Sequence, residues 1–332
     1  MNYIGSKYSL LDFLVNIIEE VAQVEDRENL VFGDLFAGTG IVGSKFKKMG
    51  YKVIANDIQH YSYVINKHYI ENNQPLQKDL VEYFNSLEGI EGFIYNNYSL
   101  GSGSQRNYFT DYNAKKCDRI RIELESLYRQ ELISKATYYY YLASLINSID
   151  RLANTTSVYG SFLKHIKKTA AKELKLELVP VIEGTNIGKV YNKNINDLIL
   201  DLSGDILYLD PPYNARQYSA NYHLLETISK YDNPDIQGKT GLRKDYIKSS
   251  YCSKKRVKAD FEHIIKNANF KHIFLSYNNE GLMSIDDIER IMRKYGQYEV
   301  FTKPYKRFRA DNELTRKHKA KMTVEYLHCL VK

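Results

Sequence analysis

Short apolar runs alternate with longer amphipathic stretches in residues 1–70 and 186–332. The runs at residues 31–36, 52–56, 205–209 and 272–277 each end in a turn that contains Gly, Pro, Asn or Asp. Apolar runs bounded in this way predict buried strands. Helical periodicity beside these runs, as at residues 60–69, places the chain among the α/β folds with a mostly parallel sheet.

The remaining pattern predicts a helical insertion and a final pair of strands. Residues 75–185 hold few strand signals, whereas 115–130 and 134–152 have helical periodicity. Two late runs, at 298–305 and 322–331, are predicted to pair as an antiparallel edge. We therefore expect the following domains: a core of 1–70 and 186–332, an inserted helical region of 71–185, and a basic loop at 231–260 within the core.

A glycine-rich turn follows the first predicted strand. Gly38, Gly40 and Gly43 have the spacing G-x-G-x-x-G, and the next strand ends at Asp57. This layout is typical of a βαβ nucleotide site, in which glycines let the backbone approach the ligand and the acidic residue binds ribose hydroxyls. On this evidence alone, a nicotinamide cofactor and S-adenosylmethionine remain equally open.

A second turn, Asp210-Pro211-Pro212-Tyr213, directly follows the predicted strand 205–209. In open α/β sheets, ligands bind at the carboxyl ends of the strands. A carboxylate beside an aromatic ring suits a flat substrate that carries an amine, such as a nucleobase. The alternative is an ordinary surface turn, since Asp and Pro both favour turns.

Three blocks in this order resemble the DNA adenine-N6 methyltransferases of the D12 class. They are residues 2–7 (Asn-Tyr-Ile-Gly-Ser-Lys), 34–40 (Asp-Leu-Phe-Ala-Gly-Thr-Gly) and 210–213. The resemblance implies a Rossmann-like, S-adenosylmethionine-dependent core with one reversed edge strand. It also implies double-stranded DNA as substrate and an accompanying restriction endonuclease.

The resemblance assigns roles residue by residue. The family usually has an acidic residue some sixteen positions before the catalytic Asp, and Asn194 stands there in this chain. An Asn carbonyl can still accept a hydrogen bond from the adenine amine of the cofactor. The residues implied to hold the cofactor are Tyr3, Lys7, Asp34, Phe36, Ala37, Gly38, Gly40, Asp57, Asn194 and Ile195.

The chemistry of the second turn follows from its groups. The exocyclic amine of adenine is a poor nucleophile because its lone pair is delocalised into the ring. The carboxylate of Asp210 and the carbonyl of Pro211 can each accept one of its N–H groups. Pro211 and Pro212 stiffen the turn and add no competing donor. Tyr213 is expected to stack on the base, which must first be flipped out of the duplex.

Positive charge is concentrated in three stretches, although the whole chain carries only +7. Residues 240–258 and 306–321 each contain seven Lys or Arg, and 160–175 contain five Lys. Clustered basic residues are the electrostatic footprint of a phosphate binder, although solvated lysine-rich faces give the same pattern. The predicted DNA contacts are Arg216, Gln217, Arg243, Lys244, Lys254, Lys255, Arg256, Arg307 and Arg309. The 71–185 insertion is either a DNA-contacting region or a purely structural lid.

Three cysteines and the absence of a long apolar run favour a cytoplasmic enzyme with no membrane segment, and the spacing of the cysteines fits no zinc site, so no metal is expected. The DNA substrate that the resemblance implies would make the enzyme nucleoid-associated. No cysteine follows a proline, which argues against cytosine C5 methylation. Other methyltransferases, acting on cytosine N4, RNA or a protein amide, remain alternatives, as does a non-catalytic DNA-binding or cofactor-binding module. The sequence does not show which DNA site is recognised.

Overall fold

The structure is a computed structural model that describes residues 4–73, 78–306 and 322–332. The strands are β1 Val31–Asp34, β2 Lys52–Asn56, β3 Lys189–Tyr191, β4 Ser203–Leu209, β5 Ile236–Gln237, β6 Leu242–Arg243, β7 Asn269–Asn278, β8 Gln297–Lys306 and β9 Met322–Val331. The α-helices are α1 Leu11–Ala22, α2 Ile41–Lys48, α3 His60–Asn66, α4 Leu80–Ser86, α5 Phe93–Tyr98, α6 Asp111–Arg129, α7 Lys135–Arg151, α8 Ile195–Leu198, α9 Tyr218–Asn221, α10 His223–Lys230, α11 Val257–Asn267 and α12 Ile285–Met292. Short 3-10 or π turns lie at Tyr8–Leu10, Lys67–Glu71, Leu100–Ser104, Ile199–Asp201 and Ser250–Cys252.

The described residues pack into two units. The sheet unit comprises Gly5–Asn73, Ile182–Gln217 and the described part of Lys248–Lys332. Its seven strands lie in the order β3-β2-β1-β4-β7-β9-β8. Strands β3, β2, β1, β4 and β7 are parallel, whereas β9 runs antiparallel to β7 and to β8. The predicted mostly parallel sheet with a reversed strand is confirmed.

Both faces of this sheet are buried, as a parallel sheet requires. Leu207 and Leu209 of β4 belong to a core cluster that contains residues of α11 and α12. Ile206 and Tyr208, which point to the other face, belong to a cluster with α1 and α2. Alternate side chains of one strand therefore pack into two hydrophobic layers, which gives the three-layer α/β architecture.

The helical unit comprises residues 78–181 and 218–247 together with Ile4. Its long helices, α6 and α7, begin directly after the capping residues Thr110 and Ser134, whose side chains each accept a hydrogen bond from the third backbone N–H that follows. Because α10 packs on α7 and β6, residues 231–247 of the predicted basic loop belong to this unit, and 248–260 belong to the sheet unit. None of the helices in the described ranges is long and apolar enough to cross a membrane.

Candidate active site

The glycine turn lies between β1 and α2. Gly38 and Gly40 have φ values of +51° and +74°, a left-handed conformation that residues with a Cβ adopt at a cost. The Gly38 N–H donates to Asp57 Oδ2 at 2.8 Å, and Asp57 Oδ1 accepts from Gln59 N at 2.8 Å. The turn is thus fastened to the end of β2 by the residue that was predicted to bind ribose.

Asn66, at the end of α3, hydrogen-bonds to the backbone of the same turn. Its Nδ2 donates to the carbonyls of Gly38 and Ser62 at 3.0 and 2.9 Å. A Cβ on Gly40 would lie 2.6 Å from Asn66 Oδ1, so only glycine fits there without a shift. Asn66 was not predicted from the sequence, because a single polar residue on a helix carries no signal that separates it from a solvent-exposed one.

Asp34 is the last residue of β1 and is 1% exposed. Its Oδ2 accepts a hydrogen bond from Gly43 N at 3.0 Å, but within the described residues its buried Oδ1 has no partner. Burial raises the pKa of this carboxyl to about 7 against the opposing Gly43 hydrogen bond, and the nearby Asp210 and Asp57 carboxylates add to the rise. An orphaned buried carboxylate oxygen fits a site that receives a cationic ligand.

Two further predicted cofactor residues also lie at the turn. The half-buried ring of Phe36 makes an edge contact with Tyr251, at 5.0 Å between centroids. The Ala37 N–H donates to the carbonyl of Asn56 at 3.0 Å, and its carbonyl accepts from Gly40 N at 2.8 Å. Ala37 therefore closes the turn with its backbone, while Phe36 supplies an apolar wall.

Asn194 and Ile195 have structural roles in addition to any contact with a ligand. The Asn194 side-chain oxygen accepts from Asn196 N at 3.0 Å and caps α8. Ile195 is buried in a core cluster. Since a carbonyl oxygen has two lone pairs, the cap leaves Asn194 able to accept a second hydrogen bond. The predicted contact from Tyr3 lies outside the described residues.

The Asp-Pro-Pro-Tyr turn follows β4 at the carboxyl edge of the sheet. Asp210 Oδ1 accepts a hydrogen bond from the Tyr213 hydroxyl at 2.6 Å and lies 3.1 Å from Lys7 Nζ. Within the described ranges, Asp210 Oδ2 makes no hydrogen bond. The ring of Tyr213 meets that of Tyr277 edge-on, at 5.2 Å between centroids. One carboxylate oxygen is thus held by the protein, and the other remains for a substrate.

Lys7 and Glu325 complete this arrangement, and each is only 4% exposed. Lys7 Nζ lies 2.9 Å from Glu325 Oε1, hydrogen-bonds the Tyr213 hydroxyl, and sits 4.8 Å from the centre of the Tyr213 ring. Burial lowers the pKa of Lys7, but the Asp210 and Glu325 carboxylates outweigh it, so the net shift is upward. Burial and the charge of Asp210 raise the pKa of Glu325. The structure therefore places Lys7, which was predicted to hold the cofactor, against the Asp-Pro-Pro-Tyr turn.

Glu325, which was not predicted from the sequence, lies near the start of β9, opposite Asn278 of β7. Because β9 is reversed, its beginning reaches the edge at which the parallel strands end. A signal was present in the sequence, because Glu325 alternates with the buried Leu327 and Cys329 and therefore lies on the same face of the strand. A charged residue in an inward-facing position of a strand is rare unless it is paired.

The predicted DNA contacts differ in their availability. Arg243 was expected to bind phosphate, but its side chain is 1% exposed, and it forms paired hydrogen bonds with Asp232 (both 2.7 Å) and Asp245 (3.1 and 2.9 Å). This prediction is corrected, because the guanidinium is committed inside the helical unit. Gln217 is engaged with the backbone of Ser249 through both amide atoms.

The other basic candidates that lie in the described residues are accessible at the surface of the unit to which each belongs. Among the described residues, Lys244 and Arg256 make only long ion pairs, of 3.5 Å with Asp235 and 3.8 Å with Asp260. Arg307 and Arg309 lie outside the described residues. The exposed candidates are Arg216, Lys244, Lys254, Lys255 and Arg256.

Comparison with known proteins agrees with this geometry. The D12 class N6 adenine-specific DNA methyltransferase family matches residues 3–291. Type II methyltransferase M.NlaIII of Neisseria lactamica is 51% identical over 334 residues, covering 100% of this chain and 99% of that protein. Type II methyltransferase M.CviAII of Paramecium bursaria Chlorella virus 1 is 36% identical, with 93% of each chain covered. Type II methyltransferase M.FokI of Planomicrobium okeanokoites is 42% identical over 94% of this chain, which spans 50% of that relative.

These matches decide between the open alternatives. They cover the glycine turn and the Asp-Pro-Pro-Tyr turn together, and the family acts on adenine N6 in DNA. A nicotinamide cofactor and methyl transfer to cytosine, RNA or a protein amide are therefore excluded, and S-adenosylmethionine is the methyl donor. The chain belongs to the D12 class N6 adenine-specific DNA methyltransferases.

Proposed function

We propose that this enzyme methylates the N6 amine of an adenine turned out of a DNA duplex at one short recognition sequence. Asp210 and the carbonyl of Pro211 hold the amine during the reaction. The observation that supports this proposal is that the two carboxylate oxygens of Asp210 differ: Oδ1 contacts Tyr213 and Lys7, whereas Oδ2 is available to accept a hydrogen bond from the substrate. Accepting an N–H bond raises the nucleophilicity of the nitrogen and aims its lone pair.

The donor site is assigned to the glycine turn. S-adenosylmethionine supplies an electrophilic methyl group on a cationic sulfonium, and its methionine end carries an ammonium group. The orphaned Oδ1 of Asp34 fits such a cation, and the Gly38–Gly40 turn admits the ligand close to the backbone. Because β1 and β4 are neighbours, Asp34 and Asp210 bring donor and acceptor to the same sheet edge.

Tyr213 orients the base. Its hydroxyl lies 2.6 Å from Asp210 Oδ1 and 2.9 Å from Glu325 Oε1, which fixes the plane of the ring. A fixed aromatic ring beside the carboxylate stacks on a flipped base and helps to offset an unstacking cost of a few kcal/mol. The exposed basic residues Arg216, Lys254, Lys255 and Arg256 are assigned to phosphate contacts.

We also propose that the enzyme works beside a restriction endonuclease of the same sequence specificity. Support comes from the relatives, which are named type II methyltransferases and modification methylases. In such a pair, adenine methylation would mark the sites that the endonuclease must not cut.

The test is methylation of a duplex DNA library that contains every short sequence, read out by sequencing that detects N6-methyladenine. The wild-type enzyme should modify one short motif. Asp210→Ala should lower the rate by at least about 10²–10³-fold, as loss of a group touching the reacting centre does, while S-adenosylmethionine binding persists. Asp201→Ala, at an exposed aspartate just before β4, is the matched control and should retain the parent rate. Parent-rate methylation by Asp210→Ala would refute the assignment.

A further inference from the structure

A buried charge cluster surrounds the catalytic carboxylate. Its members are Lys7, Asp210 and Glu325, joined by the hydroxyl of Tyr213. The side chains of Lys7 and Glu325 are each 5% exposed, and that of Asp210 is 19% exposed. With both carboxylates ionised, two anions face one cation. Since water is largely excluded, this balance acts directly on the reacting amine.

Lys7 alone would oppose catalysis. Its ammonium lies 3.1 Å from the carboxylate that must attract an N–H of the substrate. Positive charge develops on the adenine nitrogen as it forms its bond to the methyl group. A buried one-to-one pair of Lys7 and Asp210 would present that nitrogen with little net negative charge.

Glu325 changes this balance. Its Oε1 lies 2.9 Å from Lys7 Nζ, compared with 3.1 Å for Asp210 Oδ1, so the ammonium is shared between two carboxylates. The same oxygen lies 2.9 Å from the Tyr213 hydroxyl, which also contacts Asp210. Glu325 therefore binds both groups that bind Asp210 Oδ1.

We propose that Glu325 is a positioning residue for methyl transfer: it shares the charge of Lys7, so that Asp210 retains negative charge for the substrate amine. This inference rests on the proposed role of Asp210. The simpler view is that Glu325 only fastens β9 to the rest of the sheet. The two views differ in what happens to the rate constant of correctly folded enzyme.

A double-mutant cycle between Lys7 and Glu325 separates these views. Glu325→Gln preserves size and an accepting oxygen but removes the charge, and Lys7→Met removes the cation. Single-turnover methylation would be measured with saturating DNA and cofactor, well below the denaturation midpoint of every variant. Folding would be checked by circular dichroism, and KM for DNA and the cofactor Kd would be measured in parallel.

We expect Glu325→Gln to lower the methyl-transfer rate at least about tenfold, less than the ~10²–10³-fold loss of a group that touches the reacting atoms. KM for DNA and the cofactor Kd should stay unchanged. Lys7→Met should also be slow, because two adjacent carboxylates then share a proton. The double variant, in which Asp210 again carries the only charge, should be faster than Glu325→Gln.

Three results would overturn the inference. A parent rate for folded Glu325→Gln, with only a lower denaturation midpoint, would make Glu325 purely structural. Losses that multiply in the double variant would show that Lys7 acts independently. If Glu325→Gln does not fold, the rate of the double variant is compared with the rate of Lys7→Met. A faster double variant supports the inference, and an equal or slower one overturns it. Wild-type enzyme that leaves adenine unmodified would instead refute the proposed function itself.

Discussion

Asp34 is expected to destabilise the protein for the sake of cofactor binding. Its pKa is raised from 3.8 to about 7, mainly by burial. A shift of this size corresponds to about 4 kcal/mol of unfavourable free energy when the carboxyl is ionised in the folded protein. Asp34→Asn removes that charge but introduces a buried NH2 group, whose desolvation costs about 1–3 kcal/mol. We therefore expect Asp34→Asn to stabilise the cofactor-free protein by about 1–3 kcal/mol above pH 7.

The sign of the pH dependence follows from the raised pKa. Because the folded state holds the proton of Asp34 more tightly than the unfolded state does, the penalty is full above about pH 7 and vanishes as the pH falls to about 4. The gain from Asp34→Asn should therefore be large at pH 8 and small at pH 5. Urea denaturation at both pH values, without cofactor, measures it.

Asp34→Asn should weaken cofactor binding although it stabilises the cofactor-free protein. Loss of a charge-assisted contact should weaken S-adenosylmethionine binding by about 10–100-fold, and wild-type affinity should rise as the pH increases through 7. Asp57→Asn is the matched control for the stability measurement: it removes one of two oxygens that accept backbone N–H bonds, so it should destabilise the fold where Asp34→Asn stabilises it. If Asp34→Asn proved no more stable than wild type at pH 8, the reasoning about its buried charge would be refuted.

Four further substitutions test the glycine turn and the basic residues. Gly40→Ala should weaken cofactor binding, because its Cβ would lie 2.6 Å from Asn66 Oδ1. Gly50→Ala is also at positive φ, but its nearest contact is at 3.7 Å, so it should lower the free energy of unfolding by about 1–3 kcal/mol without affecting cofactor binding. Calorimetric titration with S-adenosylmethionine distinguishes the two variants. Arg243→Ala should lower the free energy of unfolding by about 2 kcal/mol or more in urea denaturation, through loss of charged hydrogen bonds. Arg216→Ala should leave stability unchanged but reduce the salt dependence of DNA affinity by about one phosphate contact in fluorescence anisotropy; unchanged salt dependence would remove it from the DNA interface.

Six of the seven strands of the sheet unit were predictable because their signals are local, whereas the three-residue strand β3, Lys189–Tyr191, was not predicted. The run at 205–209 is apolar and ends in a double proline, and it appears as β4, Ser203–Leu209. The glycine turn was predictable for the same reason, since positive φ at Gly38 and Gly40 is a requirement that sequence records. Such features depend on neighbouring residues and not on the rest of the fold.

The missed parts depend on partners that are distant in sequence. Arg243 sits in a basic stretch, and only the folded chain brings Asp232 to its guanidinium. Glu325 becomes part of the site through the pairing of β9 with β7, which no local pattern specifies. Composition counts charges but does not show which of them neutralise one another.

The reversed strand β9 has a consequence for the order in which the two halves of the site can form. The contact that fastens the glycine turn, between Gly38 and Asp57, spans 19 positions. The contacts of Tyr213 with Lys7 and Glu325 span 206 and 112 positions. Closing longer loops costs more chain entropy, and long-range pairing is slow. During folding, the glycine turn that binds the methyl donor would therefore form before the contacts around Tyr213. Methyl transfer would become possible only after β9 had joined the sheet.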